Sequence, residues 1–418
     1  MQFKDIIGQQ GVKHNLVELV QHNRLSHALL FLGKEGSGVL PMALSFAQYV
    51  VCETVNGKSQ HNIGPSLFGD EPVTSNREPA TDSCGTCPAC IKSQQFVHPD
   101  IHFSYPVVTK KPGTPPVSTD YISEWREFVK SYVYGNAFDW LQFIGAENKQ
   151  GNITANECND IIRKLNLKSF ESEYKILILW MPEYLGNEGN KLLKLIEEPP
   201  PNTLFILAAE NESLVLPTIL SRCQLVKIPA LETRDVEEAL VNRNKTAPEA
   251  ARQVASVSEG NYREALQMVQ HAEEDWQSLL REWLNAMLKT GPIAQTRWVE
   301  EISKHGREKQ KQFLRYFNHL LEQAVRLRVT SPSNSLSIGE GGTDSDRLRF
   351  TANIPEKERD FAERLNKIAG IEQQQAIIEE LDRATYYIER NANAKILFHA
   401  LTIKLYHIIR DKIVLLTD

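Results

Sequence analysis

No stretch of about 18 apolar residues occurs in this 418-residue sequence, so it holds no candidate transmembrane helix. The start, MQFKDIIGQQ, is polar and charged and lacks the apolar core of a secretory leader; a cytoplasmic protein is the expectation. An excess of positive charge is missing too. Lys and Arg number 47 against 53 Asp and Glu, for a formal net charge of −6. That removes a global electrostatic footprint for nucleic acid and leaves any DNA contact to a local patch or a partner. Cysteine is scarce, six in all, yet three fall in CGTCPAC as Cys84, Cys87 and Cys90. In a reducing compartment such spacing favours metal over disulfide, because thiolates two residues apart converge on one tetrahedral Zn²⁺. Cys52, at the end of the apolar helix pattern MALSFAQYVVC, leads as fourth ligand, with His61, His98 and His102 behind it. Cys158 and Cys223 read as small apolar packing groups.

The most informative absence is in GKEGSGVL, residues 33 to 40, which comes directly after the strand-like run HALLFL. A G-x-x-x-x-G-K-[ST] loop aims backbone N–H groups at phosphate, sends Lys to the terminal phosphates and ligates Mg²⁺ through Ser or Thr. Gly33, Gly36 and Gly38 keep the turn, but Val39 stands in place of Lys and Leu40 in place of the hydroxyl. A chance glycine-rich turn is the plainer alternative, and the rest of the chain decides.

What is present reads as α/β followed by all-α. Continuous apolar runs at 27–32, 101–107, 175–180, 203–209 and 224–229 alternate with helical stretches, the pattern of a five-stranded parallel sheet covered on both faces. Thr154 with Glu157 forms a capping box ahead of CNDIIRKLNL, and Pro217 suits the first turn of PTILSR. The α/β domain spans 1–230 with insertions at 53–83 and 108–150; the first reads as an exposed loop and the aromatic part of the second as one or two helices over the sheet edge. A small helical domain comes next at 231–274, then a helical region at 275–418. Phe313, Phe317, Leu320, Ala324 and Leu327 recur there at the spacing of a buried face, and a disordered loop is expected at about 329–348.

Several signals then line up in one order. FKDIIGQQGVKHNLVELVQHNRLSHALLFLGKEGSG, the cysteine cluster, HPDIH, NKLLKLIEEPPPNTLFILAAENESLVLPTILSRCQ and GNYREAL together resemble the AAA+ subunits of the bacterial DNA polymerase III clamp loader. The resemblance is strong over residues 1–52, 84–102 and 153–270, weaker over the C-terminal helices and absent across both insertions. It implies a second deletion of chemistry. Active members of the family follow the strand KILILW with an Asp-Glu pair that holds Mg²⁺ and polarises water; those positions here are Trp180 and Met181. Arg222, in SRC, matches the family's arginine finger, which reaches the γ-phosphate bound by a neighbouring subunit, with a plain surface ion pair as the alternative. Arg263, in GNYREAL, matches the second sensor arginine and, with the site retired, is expected to be structural.

By resemblance, then, the chain is a non-catalytic, stator-like subunit binding no ATP in cis. It joins the clamp loader's ATPase (gamma/tau) and delta subunits through a C-terminal helical collar. Through them it serves the sliding clamp and primer-template DNA. An active AAA+ ATPase subunit and a zinc-module nucleic-acid binder are the alternatives. The first conflicts with Val39, Leu40, Trp180 and Met181, the second with the few basic and aromatic residues around CGTCPAC.

Overall fold

A computed structural model describes residues 1–56, 80–110, 113–146, 149–270, 276–330, 356–390 and 392–411, in two compact units, Met1–Gln270 and His271–Asp418. The first is built on five strands: β1 (Ala28–Leu32), β2 (Ile101–Ser104), β3 (Lys175–Trp180), β4 (Thr203–Ala209) and β5 (Gln224–Lys227). They lie in the order β2-β3-β4-β1-β5 with every neighbouring pair parallel. Each residue of β3 and β4 is buried, which is why these runs show no polar alternation. β2 is shorter than its apolar run because the chain leaves the sheet toward Pro106, which has no N–H for a ladder.

Helices cover both faces. On one lie α1 (Gln10–Gln21), α2 (Val39–Val51) and α3 (Pro88–Gln94) together with α4 (Ile122–Ser131) and α5 (Ala137–Phe143) of the second insertion. On the other lie α6 (Ala155–Leu165), the kinked 3-10 stretch Pro182–Leu192, α7 (Leu193–Glu197) and α8 (Pro217–Leu220). Thr154 caps α6 by accepting the Glu157 N–H at 3.2 Å, but the reciprocal half of the expected capping box does not form. The Glu157 carboxylate instead accepts the Ser118 N–H, at 2.7 Å, and so ties α6 to the insertion.

The insertion also departs from expectation in reach. Trp125, Phe128 and Trp140 are completely buried and pack with Tyr105 and Trp180, so α4 and α5 extend inward from the β2 edge over the end of β3. Large aromatic rings need a core, and the sheet's C-terminal end supplies it. Of the first insertion, 57–79 lie outside the described residues; Asp82, beyond them, accepts the N–H groups of Phe3 and Lys4 at 3.0 Å each. The unit closes with α9 (Thr233–Asn244), α10 (Pro248–Val257) and α11 (Tyr262–Gln270), which share a small core with Ile7 and Tyr134.

Among its described residues the second unit has helices joined by short turns and no strand: α12 (Trp276–Asn285), α13 (Pro292–Ile302), α14 (Arg307–Thr330), α15 (Glu356–Ile368), α16 (Ile371–Glu389) and α17 (Ala394–Tyr406). Phe313, Phe317, Leu320 and Ala324 are buried, and Leu327 packs at the rim. Trp283 stacks on Trp298 with centroids 4.6 Å apart. The loop expected at about 329–348 falls outside the described residues except for its first two positions, which end α14. Among the described residues no helix is long and apolar enough to cross a membrane.

Candidate functional site

The phosphate-type loop connects β1 to α2. A Cβ on Gly33 would stand 2.5 Å from the Ile228 carbonyl oxygen, and Gly36 and Gly38 hold φ of 71° and 98°, so the turn needs all three glycines. The helix that the loop leads into lacks the Lys and hydroxyl of a phosphate-binding loop. Val39 and Leu40 are buried in the core, and Pro41, in the first turn of α2, removes one of the helix-terminal N–H groups that would face an anion. Across the cleft Trp180 is 2% exposed, with its ring 5.2 Å from Trp125 and 5.9 Å from Phe128. Met181 is also buried and sits at φ 58°, an uncommon conformation for a residue with a Cβ.

The second insertion fills the space between. Tyr134 lies against the loop, 3.2 Å from where a Gly38 Cβ would be, and its hydroxyl oxygen accepts the Ile7 N–H at 2.9 Å. Burial pushes its phenol up to about 12, so it stays neutral. Tyr134 meets Tyr262 of α11 edge-on at 5.0 Å, and the Asn136 side chain donates to Glu35 of the loop at 3.0 Å. The small helical segment α9 to α11, a lid over the loop, touches it directly through the Tyr262 N–H, 3.3 Å from the Gly36 carbonyl. Between Lys34, Val39, Tyr134, Trp180 and Glu210 there remains about 10 Å³, room for about one water.

Arg263 is the hub of this closure. It is 4% exposed and forks onto Asp139 of the insertion, with Nε to Oδ2 at 2.5 Å and Nη2 to Oδ1 at 2.6 Å, while Nη1 reaches Glu35 at 2.8 Å. Glu210, at the end of β4, faces the same cleft. Burial raises its carboxyl well above the ordinary range, and the nearby Glu35 and Glu183 push it further than Arg263 pulls it back. Glu183 is raised by burial as well, although its Oε1 accepts the N–H groups of Glu210 and Asn211 at 2.6 and 2.8 Å. The cleft therefore holds one buried guanidinium already committed to Asp139 and Glu35, with Glu183 and Glu210 beside it and Lys34 among its lining residues.

Arg222 lies elsewhere, just after α8. Its side chain is 33% exposed, donates through Nε to Glu197 Oε1 at 2.5 Å and through Nη1 to the Thr218 carbonyl at 2.7 Å. Glu197 belongs to LLKLIEEPP, so that stretch and SRC, both part of the resemblance, meet at this pair.

Cys52, Cys84, Cys87 and Cys90 come together with all Sγ atoms within 4.8 Å of one another. Zn–S bonds of about 2.3 Å in a tetrahedron place sulfurs about 3.8 Å apart, and Cys84 and Cys90 Sγ are 3.8 Å apart. The Cys84, Cys87 and Cys90 N–H groups point at the sulfurs of Cys52, Cys84 and Cys87 at 3.4, 3.3 and 3.4 Å, the support a thiolate-metal centre uses. The Cys90 thiol beside Cys52 favours the Cys52 thiolate and holds Cys90 on its proton. Ionising all four takes a cation, and the cluster is compatible with a structural zinc. His98 instead accepts the Asp100 N–H at 3.2 Å; His102, driven down to about 4 by burial, stands apart from the sulfurs; and His61 lies outside the described residues.

The sequence singled out the loop, Trp180 and Met181, both arginines and the cysteines. It missed Glu35, Pro41, Tyr134, Asn136, Asp139, Glu197 and Glu210. For the insertion residues one signal was present: the density of Trp, Tyr and Phe between 121 and 143, which no solvent-exposed loop carries.

Comparison with known proteins places the chain. A family model described as DNA polymerase III, delta subunit, matches residues 8–66 and 70–232. DNA polymerase III subunit delta' of Bacillus subtilis (strain 168) is 25% identical over 265 residues, 63% of this chain and 60% of that protein. The tau subunit of the same organism is also 25% identical, over 332 residues, 77% of this chain and 46% of that protein. The chain thus spans about half to three fifths of the length of these relatives. Among solved structures, a DNA polymerase III gamma subunit-related protein from Thermotoga maritima aligns over 93% of this chain and 98% of its own, at 16% identity and a TM-score of 0.37. The chain belongs to the DNA polymerase III, delta subunit, family of clamp-loader proteins.

Proposed function

We propose that this chain is the delta-prime-type subunit of the clamp loader: a non-catalytic, stator-like member that supports ATP-dependent loading of the sliding clamp onto primed DNA. One observation carries this reading, the filling of its nucleotide cleft from within by Val39, Leu40, Trp180 and the Tyr134 segment. Phosphoryl transfer rests on positioning and electrostatic stabilisation of the phosphates, and this cleft offers neither the space nor the charge. Arg222 supplies the subunit's contribution to catalysis, a guanidinium for the γ-phosphate held by a neighbouring ATPase subunit; Glu197 keeps it at the surface until that partner arrives. The four cysteines hold zinc in a purely structural role, since four thiolates leave no open position. The unit from 271 onward is the collar through which the chain joins gamma/tau and delta subunits.

The equal similarity to a delta' and a tau subunit favours an active ATPase as second reading. The two part on one experiment, co-purification with the ATPase and delta subunits of the same cell followed by an ATPase assay with clamp and primed DNA. The first reading expects assembly, stimulated turnover by the complex and none by this chain alone. Turnover by the isolated chain would transfer the assignment to the second.

A further inference from the structure

We propose that Asp139 and Glu35 form an internal anion that takes the place of nucleotide phosphate toward Arg263 and holds the helical lid, α9 to α11, permanently closed on the sheet domain. The proposal rests on the reading of this cleft as a retired nucleotide site and names what replaced the nucleotide. A guanidinium recognises carboxylate and phosphate through the same planar fork, so an anion supplied by the chain can satisfy it as a ligand would. The geometry is of that kind: two parallel bonds to Asp139 at 2.5 and 2.6 Å and a third to Glu35 at 2.8 Å, with Arg263 buried. The three charged groups come from three different places, α11 of the lid, α5 of the insertion and the glycine loop. Each end is separately fixed. Asp139 is held by the α5 capping box, with its own N–H donated to Asn136 Oδ1 and its Oδ2 accepting the Asn136 N–H. Asn136 in turn donates to Glu35, so the anion's two halves are braced against each other. Tyr134 adds the apolar part of a ligand, one ring between the loop and Tyr262. Asp139 and Glu35 are positioning residues in this scheme; neither reacts with anything.

The consequence is a lid whose closure does not depend on nucleotide. The test uses the full-length protein and amide hydrogen exchange over residues 233–270. In the wild type, exchange is expected to be slow and indifferent to phosphate. In the Asp139→Ala/Glu35→Ala double variant it should rise about tenfold or more as the lid opens locally. Millimolar inorganic phosphate should restore protection, while sodium chloride at equal ionic strength should not. Two results overturn the proposal: a double variant whose lid is as protected as wild type, or one that loosens and responds no better to phosphate than to chloride. Should the double variant fail to fold, Asp139→Asn and Asp139→Glu are read the same way. Glu, which keeps the charge, should remain protected, and Asn should loosen and recover with phosphate. Equal protection in both single variants overturns the proposal as well. The lid is read on the isolated chain, so the outcome is independent of whether the chain assembles with clamp-loader partners.

Discussion

Arg263 and Arg222 are the same side chain in opposite settings. Arg263 is enclosed, with its donors committed to two carboxylates of its own chain, whereas Arg222 stands a third exposed beside one carboxylate and one carbonyl. A buried guanidinium with every partner supplied internally has nothing left for a ligand. A surface one paired with a single glutamate can exchange that partner, because exposed ion pairs contribute only about 0–1 kcal/mol. On the proposed function, the cleft that in an ATPase would face nucleotide is given over to structure, while the edge carrying Arg222 stays open to a neighbour. The contrast between the two arginines is what the proposed role, a subunit that serves another subunit's chemistry, predicts.

The comparison breaks most sharply at Arg222. Arg222→Ala in an otherwise wild-type reconstituted complex is expected to leave assembly intact and to lower clamp- and DNA-stimulated ATPase, by on the order of 10³ at the one site it serves. Arg222→Lys should be nearly as damaging, since a point charge does not reproduce the fork. Steady-state ATPase and clamp loading are the measurements, and unchanged rates in both would leave this subunit as scaffold alone.

At the other arginine the effect should appear in stability. Arg263→Ala strands two carboxylates in the cleft, and breaking a buried pair from one side costs about 3–5 kcal/mol. Urea unfolding of the first unit should show it, and Arg222→Ala, measured in parallel, should stay within about 0.5 kcal/mol of wild type, as surface substitutions do. Equal losses in the two variants would erase the contrast. The metal site offers a control outside the cleft. One zinc per chain is expected by metal analysis, and Cys52→Ser should weaken retention against chelator; unchanged affinity would remove Cys52 from the ligand set.

The smallest effect concerns Glu210. Its folded-state carboxyl is raised by burial and by neighbouring carboxyl groups, so it contributes stability at low pH that is lost as pH rises through its folded value. Glu210→Gln should therefore raise the melting temperature at pH 8 and leave it little changed at pH 4. A variant less stable than wild type at pH 8 would mean that Glu210 is charged and useful there.

The sheet was legible from sequence because buried parallel strands write themselves as continuous apolar runs, and the retained glycines of the loop marked the place of the cleft. The cysteine cluster was legible through its spacing, and Cys52 through its position at the end of α2, which carries it to the triplet. The filling of the cleft was not legible. Asp139 and Glu35 are 104 positions apart, and their meeting depends on α4 and α5 packing their aromatic face against Trp180, a tertiary outcome that local periodicity does not encode. The capping box expected at Thr154 failed for the same reason: Glu157 had a better partner in Ser118, far along the chain. Glu197 was part of a stretch read for its resemblance, and its pairing with Arg222 became visible only when α7 and α8 were set side by side.

The central claim, that the cleft belongs to the chain itself and not to a nucleotide, is tested most directly by equilibrium dialysis of the full-length protein against Mg·ATP. No saturable binding is expected at any concentration up to millimolar, with Arg222→Ala and wild type alike. Saturable binding in the micromolar range would contradict the account, because a triphosphate could enter only by displacing the Tyr134 segment and the carboxylates that close on Arg263.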